Sequence, residues 1–123
     1  VQASLQTWSV GSSYDSYIAN SGVAYNGTLA RIMEQKWIAS WTAATESWFD
    51  YRRTGLPALT AGPAAKRQAL PLRFYYMQDE IRINAANATA AMDKLEVSNY
   101  SQADGKNSAW SKPWLMQGTN KPW

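Results

Sequence analysis

A chain of 123 residues, 46% of them hydrophobic, can form one domain at most, or one piece of a larger one. It contains no cysteine and no histidine, which excludes disulfides, thiolate and imidazole metal sites, a thiol nucleophile and a Ser-His-Asp triad. The net charge of +3 is spread from Arg31 to Lys121 with no basic run longer than a pair, unlike the clustered footprint of a nucleic-acid binder.

The aromatic content is high, with seven tryptophans and seven tyrosines. Flat rings stack on sugar faces, and sugar-binding proteins often share this composition; most rings also bury large apolar areas in any fold. No apolar run approaches the roughly 20 residues of a membrane-spanning helix. The chain opens on Val1 without a signal peptide, which reads as a processed chain or a fragment.

Residues 1–27 are rich in Ser, Gly, Asn and Tyr and read as loop holding a short helix near 14–20. Within this loop, Trp8, Tyr14, Tyr17 and Tyr25 are the candidate ligand-facing rings, because their polar setting suits sugar hydroxyls. From Thr28, a plausible N-cap, the chain runs to Gly55 without an internal Gly or Pro, predicting one long helix over about 28–54. At 1.5 Å per residue it would span roughly 40 Å. Leu29, Met33, Trp37, Trp41, Ala44, Trp48 and Tyr51 fall within one arc of about 120°, with Ile38 and Phe49 flanking it. An apolar surface that broad needs partners on more than one side. Gly55 suits the residue that ends the helix, and Pro57 cannot extend it.

Residues 56–71 read as loop with at most one helical turn around 64–68, and "LRFYYMQDEIRI" reads as extended or irregular. A second helix is predicted over about 85–96, capped by Asn84, with Ala88, Ala91, Met92 and Leu95 on its apolar face. The tail 108–123 is broken by Pro and Gly and reads as anchored by Trp110, Trp114 and Trp123. No internal repeat is visible. One broad aromatic helix, one Ala-rich helix and long loops do not close a core, so the chain reads as the end of a larger helical protein.

The stretch "ESWFDYRRTGLP" (46–57) raises a catalytic possibility, because Glu46 and Asp50 lie i, i+4 on one face. A glycosidase needs two carboxyls across the scissile bond, one with a raised pKa. Arg53, three residues beyond Asp50, instead predicts an ion pair that also suits the negative helix end. Arg52 projects toward Trp41 and Trp48, where it can stack on a ring. The acidic pair Asp79-Glu80 reads as capping or surface pairing. The N-x-S/T matches at Asn26, Asn87 and Asn99 read as chance occurrences in an Asn- and Thr-rich chain.

Four segments together resemble the carboxy-terminal region of the SusD/RagB family: "RIMEQKWIA" (31–39), "ESWFDYRRTGLP" (46–57), "PLRFYYMQDEIRINAAN" (71–87) and "WSKPWL" (110–115). The likeness covers roughly residues 29–115, and R-R-T-G-x-P in its helical context is its most specific part. Met77 departs from the pattern, standing where the family usually has proline. The resemblance implies a mainly α, tetratricopeptide-containing SusD-like fold with long irregular loops. It also implies a lipid-anchored outer-membrane protein on the surface of a Bacteroidetes-type bacterium. Such a protein captures oligosaccharide or peptide for a SusC-like TonB-dependent transporter, without cofactor, metal, nucleic acid or catalysis. Within it, Trp37, Trp41, Glu46, Trp48, Asp50, Tyr51, Arg52, Arg53 and Gly55 form a structural core and ion-pair motif. A carboxylate glycosidase and a helical interaction module are the competing functions.

Overall fold

Thr28 starts its helix as the sequence predicts: its hydroxyl accepts from the Arg31 amide at 3.3 Å, while Asn26 Oδ1 accepts from the Thr28 amide and hydroxyl. In the computed structural model, which describes residues 1–121 and 123, regular structure is helical, and the only strand-like pairing among those residues is an isolated bridge. The chain divides into two units, Val1–Ala58 and Leu59–Trp123.

The first unit holds α1 (Gln2–Thr7), a 3-10 turn (Gly11–Ser13), α2 (Tyr14–Ala19), α3 (Leu29–Ala39) and α4 (Ala44–Thr54). The short helix expected near 14–20 is α2, whereas α1 forms where loop was expected. It ends on Ser9 at φ 59, with the Val10 amide reaching back to the Leu5 carbonyl at 2.9 Å.

The continuous helix over 28–54 is corrected to two helices, α3 and α4. Ser40 leaves helical geometry with its amide shared between the Lys36 and Trp37 carbonyls, and a turn closes through Ala43. Ser and Thr in "SWTA" bond their own backbone readily and weaken the helix there. The break also has a tertiary cause. In one straight helix, Lys36 and Asp50 would stand about 21 Å apart; in the folded unit they form an ion pair at 2.5 Å.

The broad apolar arc is only partly buried. Met33 and Tyr51 are core, at 5% and 7% exposed, and Trp48 is half-buried. Trp37 and Trp41 are 44% and 69% exposed, so this unit does not by itself cover the broad arc. Leu29, Ile32 and Ile38 are also exposed, so α3 shows apolar side chains on several faces.

Helix α4 ends on Gly55 at φ 74 and ψ 9, as the sequence predicts, with its amide donating to Tyr51 at 2.7 Å. Only glycine takes this left-handed geometry freely. Gly55→Ala is therefore expected to destabilise the protein by about 1 kcal/mol, measured as a lower denaturant midpoint; an unchanged midpoint would contradict the strain argument. The Leu56–Pro57 bond that follows is cis.

The second unit holds α5 (Gln78–Ile83), α6 (Ala85–Asp93) and a 3-10 turn (Trp114–Met116). Helix α5 forms in the segment expected to be extended or irregular, with Asp79 and Glu80 in its first turn, where acids suit the helix dipole. Asn84 stands at the start of α6 as expected, but its side chain bonds the Glu80 and Asn87 side chains instead of a backbone amide. Ala88 is buried, and Ala91, Met92 and Leu95 are half-buried, so the predicted face is the inner one.

Much of the remainder is irregular chain held by side-chain hydrogen bonds. Leu72, 2% exposed, hangs from the Ala109 carbonyl at 2.7 Å. Asn107 clasps Tyr76 through both backbone groups, at 2.8 and 3.0 Å. The same turn occurs twice, in "SNYS" (98–101) and "SAWS" (108–111): the first serine amide donates to the last serine hydroxyl, and the first hydroxyl accepts from the aromatic residue's amide. Arg67 joins the two turns, stacking on Trp110 at 4.4 Å, bonding the Tyr100 carbonyl and pairing with Asp104. In the tail, Trp110 is half-buried and Trp123 is 6% exposed, so both serve as anchors. Trp114 is corrected, because it stands 80% exposed.

Candidate functional site

All four candidate ligand-facing rings lie in the first unit, on two adjoining grooves built by α1, α2 and α3. The larger groove has a volume of about 930 Å³, and Tyr14, Ile18, Tyr25, Arg31 and Gln35 are among its lining residues. The smaller, about 230 Å³, is lined by Trp8, Val10, Tyr17, Ile38 and Trp41 among others. Val1, Gln35 and Ala39 border both. Tyr17 donates its hydroxyl to Gln35 Oε1 at 2.8 Å, which fixes the partition between them.

The geometry brings Tyr14 and Tyr25 to one groove and Trp8 and Tyr17 to the other. It adds Trp41, which the helical arc had assigned to the core. Because α3 stops at Ala39, Trp41 leaves the arc and meets Trp8 with ring centroids 5.5 Å apart and planes tilted by 45°. Ser40 and Thr42 around Trp41 are the sequence signal for that exit.

The two basic side chains of the larger groove are both ion-paired. Arg31 pairs with Glu34 at 2.8 Å and bonds the Gly22 carbonyl, and Lys36 pairs with Asp50. The remaining polar groups there include Gln2, Gln35 and the tyrosine hydroxyls, which are uncharged donors and acceptors suited to hydroxyl groups.

The other sequence candidate, the end of α4, is a different kind of place. Asp50 forms an ion pair with Lys36 through one oxygen and accepts from Arg53 at 2.8 Å on the other, the pairing expected of Arg53. The hydrogen bonds from Lys36 and then Arg53 hold the Asp50 carboxyl below the ordinary aspartate value of 3.8. Glu46 lies exposed in the first turn of α4, and it is Asp50 that Arg53 meets. Arg52 stacks on Trp48 at 4.7 Å; burial lowers its pKa. Thr54 donates to the Asp50 carbonyl at 2.7 Å and accepts from the Leu56 amide, closing the helix end. A carboxylate held down by two cations is a poor general acid. Among the described residues, no three His, Cys, Asp or Glu side chains gather where they could hold a metal ion.

No described helix is long and apolar enough to cross a membrane. A family model, SusD-like, described as starch-binding and associating with the outer membrane, matches residues 1–77. That span takes in the whole first unit, including residues 1–28, which the sequence resemblance had left out, and it stops at Met77. No curated protein and no solved structure matches the chain. By a match over more than half its length, carrying both grooves, the chain belongs to the SusD-like family of outer-membrane-associated binding proteins.

Proposed function

We propose that this chain is the carboxy-terminal portion of a larger SusD-like domain that captures a neutral oligosaccharide at the cell surface. It passes the sugar to a SusC-like TonB-dependent transporter, and a lipid on another part of the protein anchors it to the outer membrane. The family match over residues 1–77 is the observation that carries this reading. The exposed apolar faces of α3 support the larger domain, since a helix apolar on several sides is normally enclosed by others. A peptide is the other ligand the family resemblance allows; the uncharged donors and acceptors of the larger groove, beside an Arg31 and a Lys36 that are already ion-paired, favour the sugar.

Trp8, Tyr14, Tyr17 and Tyr25, with Trp41 added, are the ligand contacts in this reading. The end of α4 is scaffold: Trp48 and Tyr51 pack inward, while Asp50, Arg52 and Arg53 tie the last turn to its surroundings. Binding needs no general acid, base or nucleophile, and the chain acts on its ligand without turnover.

Calorimetry with maltoheptaose tests this on the full protein. The wild type is expected to bind, and the double variant Trp8→Ala, Trp41→Ala is expected to bind about tenfold more weakly, since an aromatic contact contributes roughly 0.5–1.5 kcal/mol. Both rings are exposed enough that melting should be preserved. Equal affinity in the double variant would remove these rings from the site, and silence of the wild type toward a glucan panel would remove the sugar. Release of shorter sugars on incubation, abolished by Glu46→Gln, would establish the glycosidase instead.

A further inference from the structure

The hydrogen bond between α2 and α3 decides what the wall between the two grooves can offer a ligand. The Tyr17 hydroxyl donates to Gln35 Oε1 at 2.8 Å. With its oxygen engaged, the Gln35 amide keeps two N–H donors, and none of the described residues accepts from them. Val1, Gln35 and Ala39 border both grooves, and of the three only Gln35 has a polar side chain. In the smaller groove it stands with Trp8 and Trp41, whose ring centroids are 5.5 Å apart. That groove's volume of about 230 Å³ lies below the roughly 300–1,000 Å³ of most small-molecule sites, so it holds a whole ligand only together with its neighbour.

We propose that one linear, uncharged oligosaccharide lies across both grooves, that Gln35 is the specificity-determining donor where it crosses, and that Tyr17 positions the Gln35 amide. This rests on the sugar-binding reading above. A pyranose stacked on an aromatic ring turns its hydroxyls outward, and these need hydrogen-bond partners beside the ring. Gln35 places a donor on the same wall as Trp8 and Trp41. An amide already held by a hydroxyl loses little freedom when a ligand arrives. A ligand without an acceptor at the crossing leaves those N–H groups unpaired, which is how a site built around a donor discriminates. An anionic sugar would call for a free cation, whereas Arg31 and Lys36 are paired with Glu34 and Asp50.

Calorimetry of the full protein with maltotriose and maltoheptaose, alongside melting curves, tests this. Gln35→Glu keeps the acceptor for Tyr17 and replaces only the N–H donors; Gln35→Met removes both groups at similar volume. Each is expected to bind maltoheptaose up to about tenfold more weakly, the effect of losing a hydrogen bond, at an unchanged melting midpoint. Tyr17→Phe keeps the ring and should weaken binding severalfold in the wild type but hardly further in Gln35→Met, as expected of coupled residues. Maltoheptaose should bind more tightly than maltotriose. If both Gln35 variants bind like the wild type while Trp8→Ala, Trp41→Ala binds weakly, the crossing is overturned and the groove reading stands. Silence of the wild type toward every glucan, the result if other helices of the domain fill the grooves, overturns both. Additive losses would remove Tyr17 as the positioning residue, and equal affinity for the two sugars would remove the span. Losses that track a lowered melting midpoint in both Gln35 variants would make the pair structural and overturn the proposal.

Discussion

Met116→Ala is expected to lower the unfolding free energy by about 2–5 kcal/mol, the cost of deleting a large buried side chain whose cavity the surroundings cannot fill. Met116 is 1% exposed in a unit whose fully buried large side chains are few. Its neighbours are held by hydrogen bonds, with Gln117 fixed to two carbonyls and Thr119 donating to the Met116 carbonyl at 2.9 Å. They have little freedom to collapse into the vacated space. Denaturant unfolding of the chain checks this. Met116→Leu, which conserves volume, should cost less than about 1.5 kcal/mol; equal effects for the two substitutions would show that packing at this site is loose.

Asp50→Asn is expected to cost about 1–3 kcal/mol near neutral pH. Hydrogen bonds to charged groups contribute roughly 1.5–3 kcal/mol each. The lower figure allows for solvent around the partners, since the Lys36 and Arg53 side chains are 49% and 63% exposed while Asp50 is 11%. The pH dependence follows from the direction of the shift. The folded Asp50 carboxyl has a lower pKa than its unfolded value near 3.8, through Lys36 first and Arg53 second. Below that value the unfolded chain holds more protons than the folded one, so stability rises with pH there. The contribution is fully present above the unfolded pKa and is lost as pH falls through the folded one. Asp104, lowered by Arg67 and then Ser108, acts in the same direction. The wild type should therefore lose stability below about pH 4, and Asp50→Asn should show a shallower acid limb. Parallel profiles for the two proteins would mean that Asp50 is not differentially paired on folding.

The helix signals that were legible are those set by neighbours in the chain. Thr28 caps α3 because its own hydroxyl reaches Arg31, and Gly55 ends α4 because only glycine rests easily at φ 74. The i, i+3 pairing of Asp50 with Arg53 is likewise local. The candidate site was half legible. Polar surroundings picked out Trp8, Tyr14, Tyr17 and Tyr25, all of which line grooves. Trp41 was hidden by a periodicity that ran on through the break at Ser40. The exposure of Trp114 was hidden for another reason, since a tryptophan among Lys and Pro reads first as an anchor.

By itself the sequence determined a mainly helical, cysteine- and histidine-free chain with SusD-like motifs, because composition, caps and i, i+4 spacing act over a few residues. Only the tertiary structure decided that the central helix breaks, since the pairing of Lys36 with Asp50 becomes possible only once α4 folds back. It also decided which rings face water: Trp123 is buried and Trp114 exposed within one tail. The turn that carries Trp114 is set by the pairing of Lys112 with Glu96 and of Gln117 with the Lys94 carbonyl, whose free energy no local pattern contains.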